Sequence, residues 1–295
     1  MTEGLTNEQL QQFDKDGFLV IPGFFTTEQA TALRHAAADL LASLDINTHP
    51  KTKFTTGETG NSEHVSDDYF LSSGDKIRYF FEEDAFDANG TLVTDKAKAI
   101  NKIGHGLHEL EPAFKSFSAD KGIKQIMKSL KYKDPRILQS MMIFKQPKIG
   151  GRVPPHQDST FLFTKPLSAI GFWFALEDCT LENGCMWFVP GSHKNVSVSK
   201  RFVRREDGQG TKFIDIAPHT PDPPESDYIC APVSTGSLVL IHGSVLHKSN
   251  HNSSSKSRWI YTFHCIEGED AGYEYPKDNW LQPTSDTPLT KLYDT

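Results

Sequence analysis

From Pro135 onward the chain is cut into short aromatic and β-branched runs by Gly, Pro and Asn, and this pattern limits the fold more than any other feature. Ile137 to Phe144, Ile170 to Leu176, Met186 to Val189, Phe213 to Ile216, Ser237 to Ile241 and Trp259 to Ile266 are each too short for a buried helix and are bounded by turn formers. Such a series predicts roughly eight short strands in a sandwich or barrel. The segment before it has a different character. Thr6 with Gln9 and Thr26 with Gln29 fit capping boxes, so each predicts a helix start. Ala30, Leu33, Ala37, Leu40, Leu41 and Leu44 then recur at three- and four-residue spacing, a stripe that must lie against a sheet.

Phe18 to Ile21, closed by Pro22-Gly23, and Ile77 to Phe81 predict strands, whereas Asp95 to Leu110 and Ser118 to Leu130 carry helical spacing, the latter capped by Ser118. Residues 51–66 are polar and aperiodic, a long loop for which lid and simple insertion both stand. The expectation is mainly β with flanking helices around a double-stranded β-helix (jelly roll, cupin-like) core. It forms one domain over 1–295: a mostly helical part at 1–134, the main barrel strands at 135–268 and a C-terminal tail at 269–295.

Lys and Arg total 31 against 38 Asp and Glu, a net charge of −7 that argues against nucleic acid as a partner. Cys179, Cys185, Cys230 and Cys265 have no Cys-x-x-Cys spacing and read as free thiols in a reducing compartment. With no basic and apolar leader after Met1, only strand-length apolar runs and no peroxisomal ending at Leu292-Tyr293-Asp294-Thr295, the expected setting is cytoplasmic, without a membrane. Oligomeric state is not legible.

The chemistry lies in His156-Gln157-Asp158. On an extended chain residues two apart share a face, so His156 and Asp158 can reach one cavity, and Pro154-Pro155 before them with Phe161-Leu162-Phe163 after them suit the start of a strand. One more imidazole would complete the two-histidine, one-carboxylate face that holds Fe(II) and leaves its other positions open. His242, at the end of a buried strand, and His247 are both candidates, while His251 lies in a polar, solvated loop. Arg258 heads an otherwise apolar strand, where a buried cation needs a carboxylate; a dicarboxylate ligand or an Asp bridge would serve. His105 and His108, at helical spacing, read as packing or hydrogen-bonding side chains, and His193 as a turn stabiliser.

Ile100-Asn101-Lys102-Ile103-Gly104-His105, Gln139-Ser140-Met141, His156-Gln157-Asp158, Trp173, the run Leu181 to His193, His247-Lys248-Ser249 through Arg258, and Trp280-Leu281-Gln282-Pro283 together resemble the phytanoyl-CoA dioxygenase family over nearly the whole chain. In that family the second histidine precedes the co-substrate arginine by eleven residues, and 258 − 247 = 11 selects His247. The resemblance implies an enzyme with iron at His156, Asp158 and His247, and 2-oxoglutarate lined by Lys102, Met141, Gln157, Trp173, Ser249 and Arg258. It further implies O₂ as co-substrate, succinate and CO₂ as products, and hydroxylation of an aliphatic C–H in a small molecule such as an acyl-CoA or related carboxylic acid derivative. Related halogenases lack the carboxylate that Asp158 supplies here, which argues for hydroxylation. Lys200-Arg201 with Arg204-Arg205 form the compact basic cluster that could meet CoA phosphates or merely face solvent. A non-catalytic binding module of the same fold and a Zn or Mn hydrolase or isomerase are the rival readings.

Overall fold

The computed structural model describes residues 4–50, 52–53 and 68–294; the loop expectation at 51–66 therefore falls, except for Thr52 and Lys53, outside the described residues. Both capping boxes form: Thr6 and Thr26 accept from the Gln9 and Gln29 amides, and the glutamine side chains accept in return. They open α1 (Asn7–Asp16) and α2 (Thr27–Ser43). Gly17 ends α1 at φ 80°, a left-handed turn that glycine adopts without strain, and leads straight into β1 (Phe18–Ile21).

After α3 (Asp68–Leu71) and β2 (Ile77–Phe81), the predicted helix from Asp95 to Leu110 is replaced by α4 (Lys96–Ala99), β3 (Ile100–His105) and α5 (Leu107–Leu110). Tertiary pairing overrides the helical spacing, because β3 finds ladders on both sides, with β2 and with the later strand β4 (Pro135–Ile143). His105 and His108 consequently lie on different elements and share no helical face. The second predicted helix is also split, into α6 (Pro112–Ser118) and α7 (Lys121–Ser129). Asp120, not Ser118, caps α7, accepting from the Gly122 amide at 2.7 Å, while the Ser118 hydroxyl lies 2.7 Å from that of Tyr261.

The remaining elements are β5 (Val153–His156), β6 (Ile170–Ala175), β7 (Met186–Phe188), α8 (Ser192–Asn195), β8 (Lys200–Arg204), β9 (Thr211–Asp215), β10 (Ile229–Ala231), β11 (Leu238–His242), β12 (His247–Ser249), β13 (Ile260–Glu267) and β14 (Thr290–Lys291). The large sheet runs β1-β11-β6-β13-β4-β3-β2, with β14 beside β4, and the small sheet runs β10-β7-β12-β5. These ladders are antiparallel, and β8 and β9 form a separate hairpin. The stretch 269–294 is tied in, with Trp280, Leu281 and Leu292 buried.

Period-two alternation divides the large sheet. Phe172, Phe174, Leu238, Leu240, Tyr261 and Phe263 pack with Leu33, Ala37 and Leu41 of α2 in the main apolar core. Truncating Leu33 to alanine there costs about 2–5 kcal/mol. The other face carries cross-strand rows: Gly104, Met141, Thr262, Trp173 and Val239, then Lys102, Ile143, Ile260 and Ala175. This second face is the floor of a cavity.

Burial also fixes the acid limit of the fold. It pushes the imidazoles of His108 and His242 down to about 4, and that of His105 well below its usual value. These rings fold as neutral groups, so the unfolded chain binds more protons between about 6.5 and 4, and stability present above 6.5 is lost as pH falls through that window. Urea unfolding followed at pH 7, 6, 5 and 4 is expected to show a midpoint falling steadily below pH 6.5; a flat midpoint would show that these rings do not govern it.

Candidate metal centre

The cavity encloses about 380 Å³ between the two sheets, and His156, Asp158 and His247 meet on its wall. His156 and His247 face each other directly across the β5–β12 ladder, with ring centroids 4.2 Å apart. Asp158 lies beyond the strand rather than on it. Its carbonyl accepts the amides of Phe161 and Leu162, which starts a 3₁₀ turn, so the triplet ends a strand where the sequence suggested that it begins one. Gln157 remains extended at φ −117° and ψ 129°, which preserves the two-residue alternation and brings Asp158 back to the side of His156.

The three side chains present one donor atom each, all within 4.8 Å of one another. His156 Nδ1 is bonded to the Pro154 carbonyl at 2.9 Å and His247 Nδ1 to the Val245 carbonyl at 3.0 Å. Each of those nitrogens must donate, so each Nε2 is left as a lone-pair donor. The two Nε2 atoms lie 3.6 and 3.7 Å from the same oxygen, Asp158 Oδ1. Burial pushes the His247 imidazole down to about 4, keeping it in the neutral, ligating form. Burial acts to raise the Asp158 carboxyl, but the surrounding imidazoles of His264, His247 and His156 hold it well below the usual carboxylate range. Burial acts to lower the His156 imidazole but the Asp158 carboxylate raises it, a proton that a divalent transition metal would displace. A carboxylate with two imidazoles on one side of a cavity is a donor set that suits such a metal and leaves room opposite.

His242, the other candidate for the third ligand, is not there. Its Nδ1 accepts from the Ser244 amide at 3.1 Å and its ring lies 4.9 Å from that of His193. His193 itself bonds the Asp14 carbonyl at 3.0 Å, and His105 and His108 bond Ser73 and Ser140 hydroxyls at 2.7 and 2.8 Å. His251 is exposed, as expected, yet reaches the cavity rim.

Lys102, Met141, Trp173, Ser249 and Arg258 line the cavity, whereas Gln157 does not. Alternation turns Gln157 to the other side of the chain, where its amide donates to the Ser244 and Val196 carbonyls at 2.7 and 3.0 Å. Arg258 is buried, with Nη1 donating to the Gly184 carbonyl at 3.1 Å, its guanidinium 5.4 Å from the Trp173 ring centroid and its Nε without a partner. Burial brings the Lys102 ammonium down to about 7.

Sequence reasoning passed over three cavity residues. His264 donates from Nε2 to Asp158 Oδ2 at 3.2 Å, and its signal was the alternation Arg258, Ile260, Thr262, His264 along one face. Lys145 continues the alternation of Met141 and Ile143, two residues beyond the latter, and Glu82 stands two residues beyond Phe80. The basic cluster is largely consumed internally. Arg201 bonds Asp278 and Asn279, Arg204 donates to the Trp280 and Leu71 carbonyls at 2.7 Å each, and Arg205 pairs with Asp207. None of the four lines this cavity. All four cysteines are free, and among the described residues no helix is long and apolar enough to cross a membrane.

A sequence profile described as "Phytanoyl-CoA dioxygenase" matches residues 13–260. Phytanoyl-CoA dioxygenase domain-containing protein 1 of Bos taurus is 46% identical over 293 residues, covering 98% of this chain and 99% of its own. A phytanoyl-CoA dioxygenase of Arabidopsis thaliana is 42% identical over 282 residues, 96% and 95% of the two chains. Among solved structures, the non-heme alpha ketoglutarate dependent carbocyclase SnoK from nogalamycin biosynthesis superposes with a TM-score of 0.61 at 18% identity, covering 98% of each chain. EctD from S. alaskensis with bound Fe gives 0.58 at 18% identity, covering 90% of this chain and 77% of that one. At such identities the likeness speaks to the fold, a jelly roll flanked by helices.

Proposed function

The chain belongs to the phytanoyl-CoA dioxygenase family, and from that premise we propose that it is an Fe(II)- and 2-oxoglutarate-dependent dioxygenase that hydroxylates an aliphatic C–H of a small molecule. The observation that carries this reading is the coexistence, in one cavity, of a His-Asp-His donor set and a buried guanidinium with no carboxylate partner among the described residues. A structural metal would gain nothing from either the open side or the guanidinium. His156, Asp158 and His247 would hold the ion, and Arg258 would take the far carboxylate of 2-oxoglutarate, with Lys102, Met141, Trp173 and Ser249 lining its path.

The bound iron and co-substrate would supply oxidative decarboxylation to succinate and CO₂ coupled to oxygen insertion into the C–H bond. The chain's own part is positional. The two backbone carbonyls fix the imidazole tautomers, His264 orients Asp158, and Trp173 and Met141 keep water from the floor of the cavity. Hydroxylation rather than halogenation follows from the carboxylate at position 158. The internal pairing of Arg201, Arg204 and Arg205 gives no support to a CoA phosphate site there, so the substrate class is left at a small molecule with an accessible aliphatic carbon. The test is succinate release from 2-oxoglutarate by the purified protein with Fe(II) and ascorbate: it is expected in air and absent under nitrogen, and turnover independent of O₂ would favour the hydrolase or isomerase alternative.

His264 supplies a graded version of that test. Its Nε2–H is a hydrogen bond to the oxygen of Asp158 that does not face His156 and His247, so His264→Ala frees the carboxylate to rotate. Loss of such an outer partner is expected to weaken Fe(II) binding roughly 10- to 100-fold, as measured by competition with a chelator. An unchanged metal affinity would remove His264 from the site.

A further inference from the structure

Arg258 is not the sole buried cation at its end of the cavity. Lys145 follows the end of β4, and the Arg258 amide donates to its carbonyl at 3.3 Å. Both side chains are 2% exposed and both line the cavity. Their hydrogen bonds go to backbone: Lys145 Nζ to the Gly151 carbonyl at 2.7 Å, Arg258 Nη1 to the Gly184 carbonyl at 3.1 Å. Among the described residues neither reaches a carboxylate at ion-pair distance. The neighbouring acid, Glu82, spends Oε2 on Asn101 Nδ2 at 2.9 Å and the Gly151 amide at 3.4 Å, and its Oε1 is buried without a partner, so its charge favours both cations without bonding either.

Keeping an ammonium here works against three costs. The Lys145 backbone sits at φ 34°, where a side chain is strained and glycine is not. Burial, and then the charge of Arg258, press its pKa well below the usual lysine value. Two like charges side by side repel, most strongly where water is excluded. An anion that both cations can reach offsets all but the first of these.

One glycine sets the geometry. Gly184 has φ 86°, and a Cβ on it would overlap the Lys145 side chain and the Asn250 carbonyl. Its own carbonyl accepts from both Arg258 and Ser249, the latter at 3.0 Å. The lysine stem, the guanidinium and the serine hydroxyl thus converge around a single residue without a side chain.

We propose that Lys145 is a second anchoring cation, holding the far carboxylate of the co-substrate together with Arg258 and selecting a dicarboxylate over a monocarboxylate 2-oxo acid. This rests on the reading of the cavity as a 2-oxoglutarate site. The test is calorimetric titration of the anaerobic Fe(II)-loaded protein and its Lys145→Met variant with 2-oxoglutarate and with 2-oxovalerate, which lacks the far carboxylate. The variant is expected to bind 2-oxoglutarate roughly 10- to 100-fold more weakly, the scale of a lost charge-assisted hydrogen bond, while its affinity for 2-oxovalerate stays within about twofold. Unchanged 2-oxoglutarate affinity, or equal weakening toward both acids, would overturn the assignment and leave the lysine a structural part of its turn. If the unsubstituted protein binds no 2-oxoglutarate, the co-substrate reading itself falls, a result separable from either of these.

Discussion

Replacing Asp158 with alanine is expected to lower iron-dependent succinate formation by roughly a thousandfold or more, in keeping with the several kcal/mol a correctly held metal contributes. The carboxylate is the hinge of the centre: both imidazole Nε2 atoms lie 3.6–3.7 Å from its Oδ1, and His264 holds its other oxygen. Its loss removes the sole negative donor and leaves two neutral imidazoles, a set that binds Fe(II) weakly. The surrounding imidazoles hold this carboxyl well below its usual range, and its removal leaves His264 Nε2 without an acceptor, so the alanine variant is expected to melt lower than the parent, and a thermal melt separates lost chemistry from lost structure. Full turnover by a folded Asp158→Ala protein would be incompatible with the proposed centre.

Arg258→Met should move two properties in opposite directions. A buried guanidinium without an anion is costly to fold around, and methionine can fill much of its volume against the Trp173 ring. The Gly184 carbonyl is not orphaned by the change, since the Ser249 hydroxyl still donates to it. The ligand-free variant is therefore expected to gain about 1–4 kcal/mol in urea unfolding, while its dissociation constant for 2-oxoglutarate rises by roughly a hundredfold or more. Destabilisation with unaltered affinity would mean that the arginine serves the fold and not a ligand.

Much of the centre was readable because it obeys short-range rules. His156 and Asp158 are two apart, and the β-runs after Pro135 came from composition and turn residues alone; each of the six forms a strand. The third ligand was not readable in this way. His242 and His247 both flank a strand, and only the ladder between β5 and β12 sets His247 opposite His156. Ile100 and Ile103 misled for a related reason: their spacing suits a helix, but the partners on either side that make them a strand are distant in sequence. Lys145 and Glu82 carried only the period-two alternation of their strands, which does not tell a buried cavity cation or acid from a solvated one. Gln157 came from matched positions alone, and alternation turns its side chain away from the cavity onto the Ser244 and Val196 carbonyls.

The two imidazoles stand opposite each other on strands of only four and three residues, in the smaller sheet, while the guanidinium lies just ahead of β13, a central strand of the larger one. An ion gripped by both rings would act as a rivet through that slender ladder, joining points ninety-one positions apart (247 − 156). A dicarboxylate spanning from rivet to guanidinium would then brace one layer of the sandwich against the other, so that filling the site and stiffening the barrel become a single event.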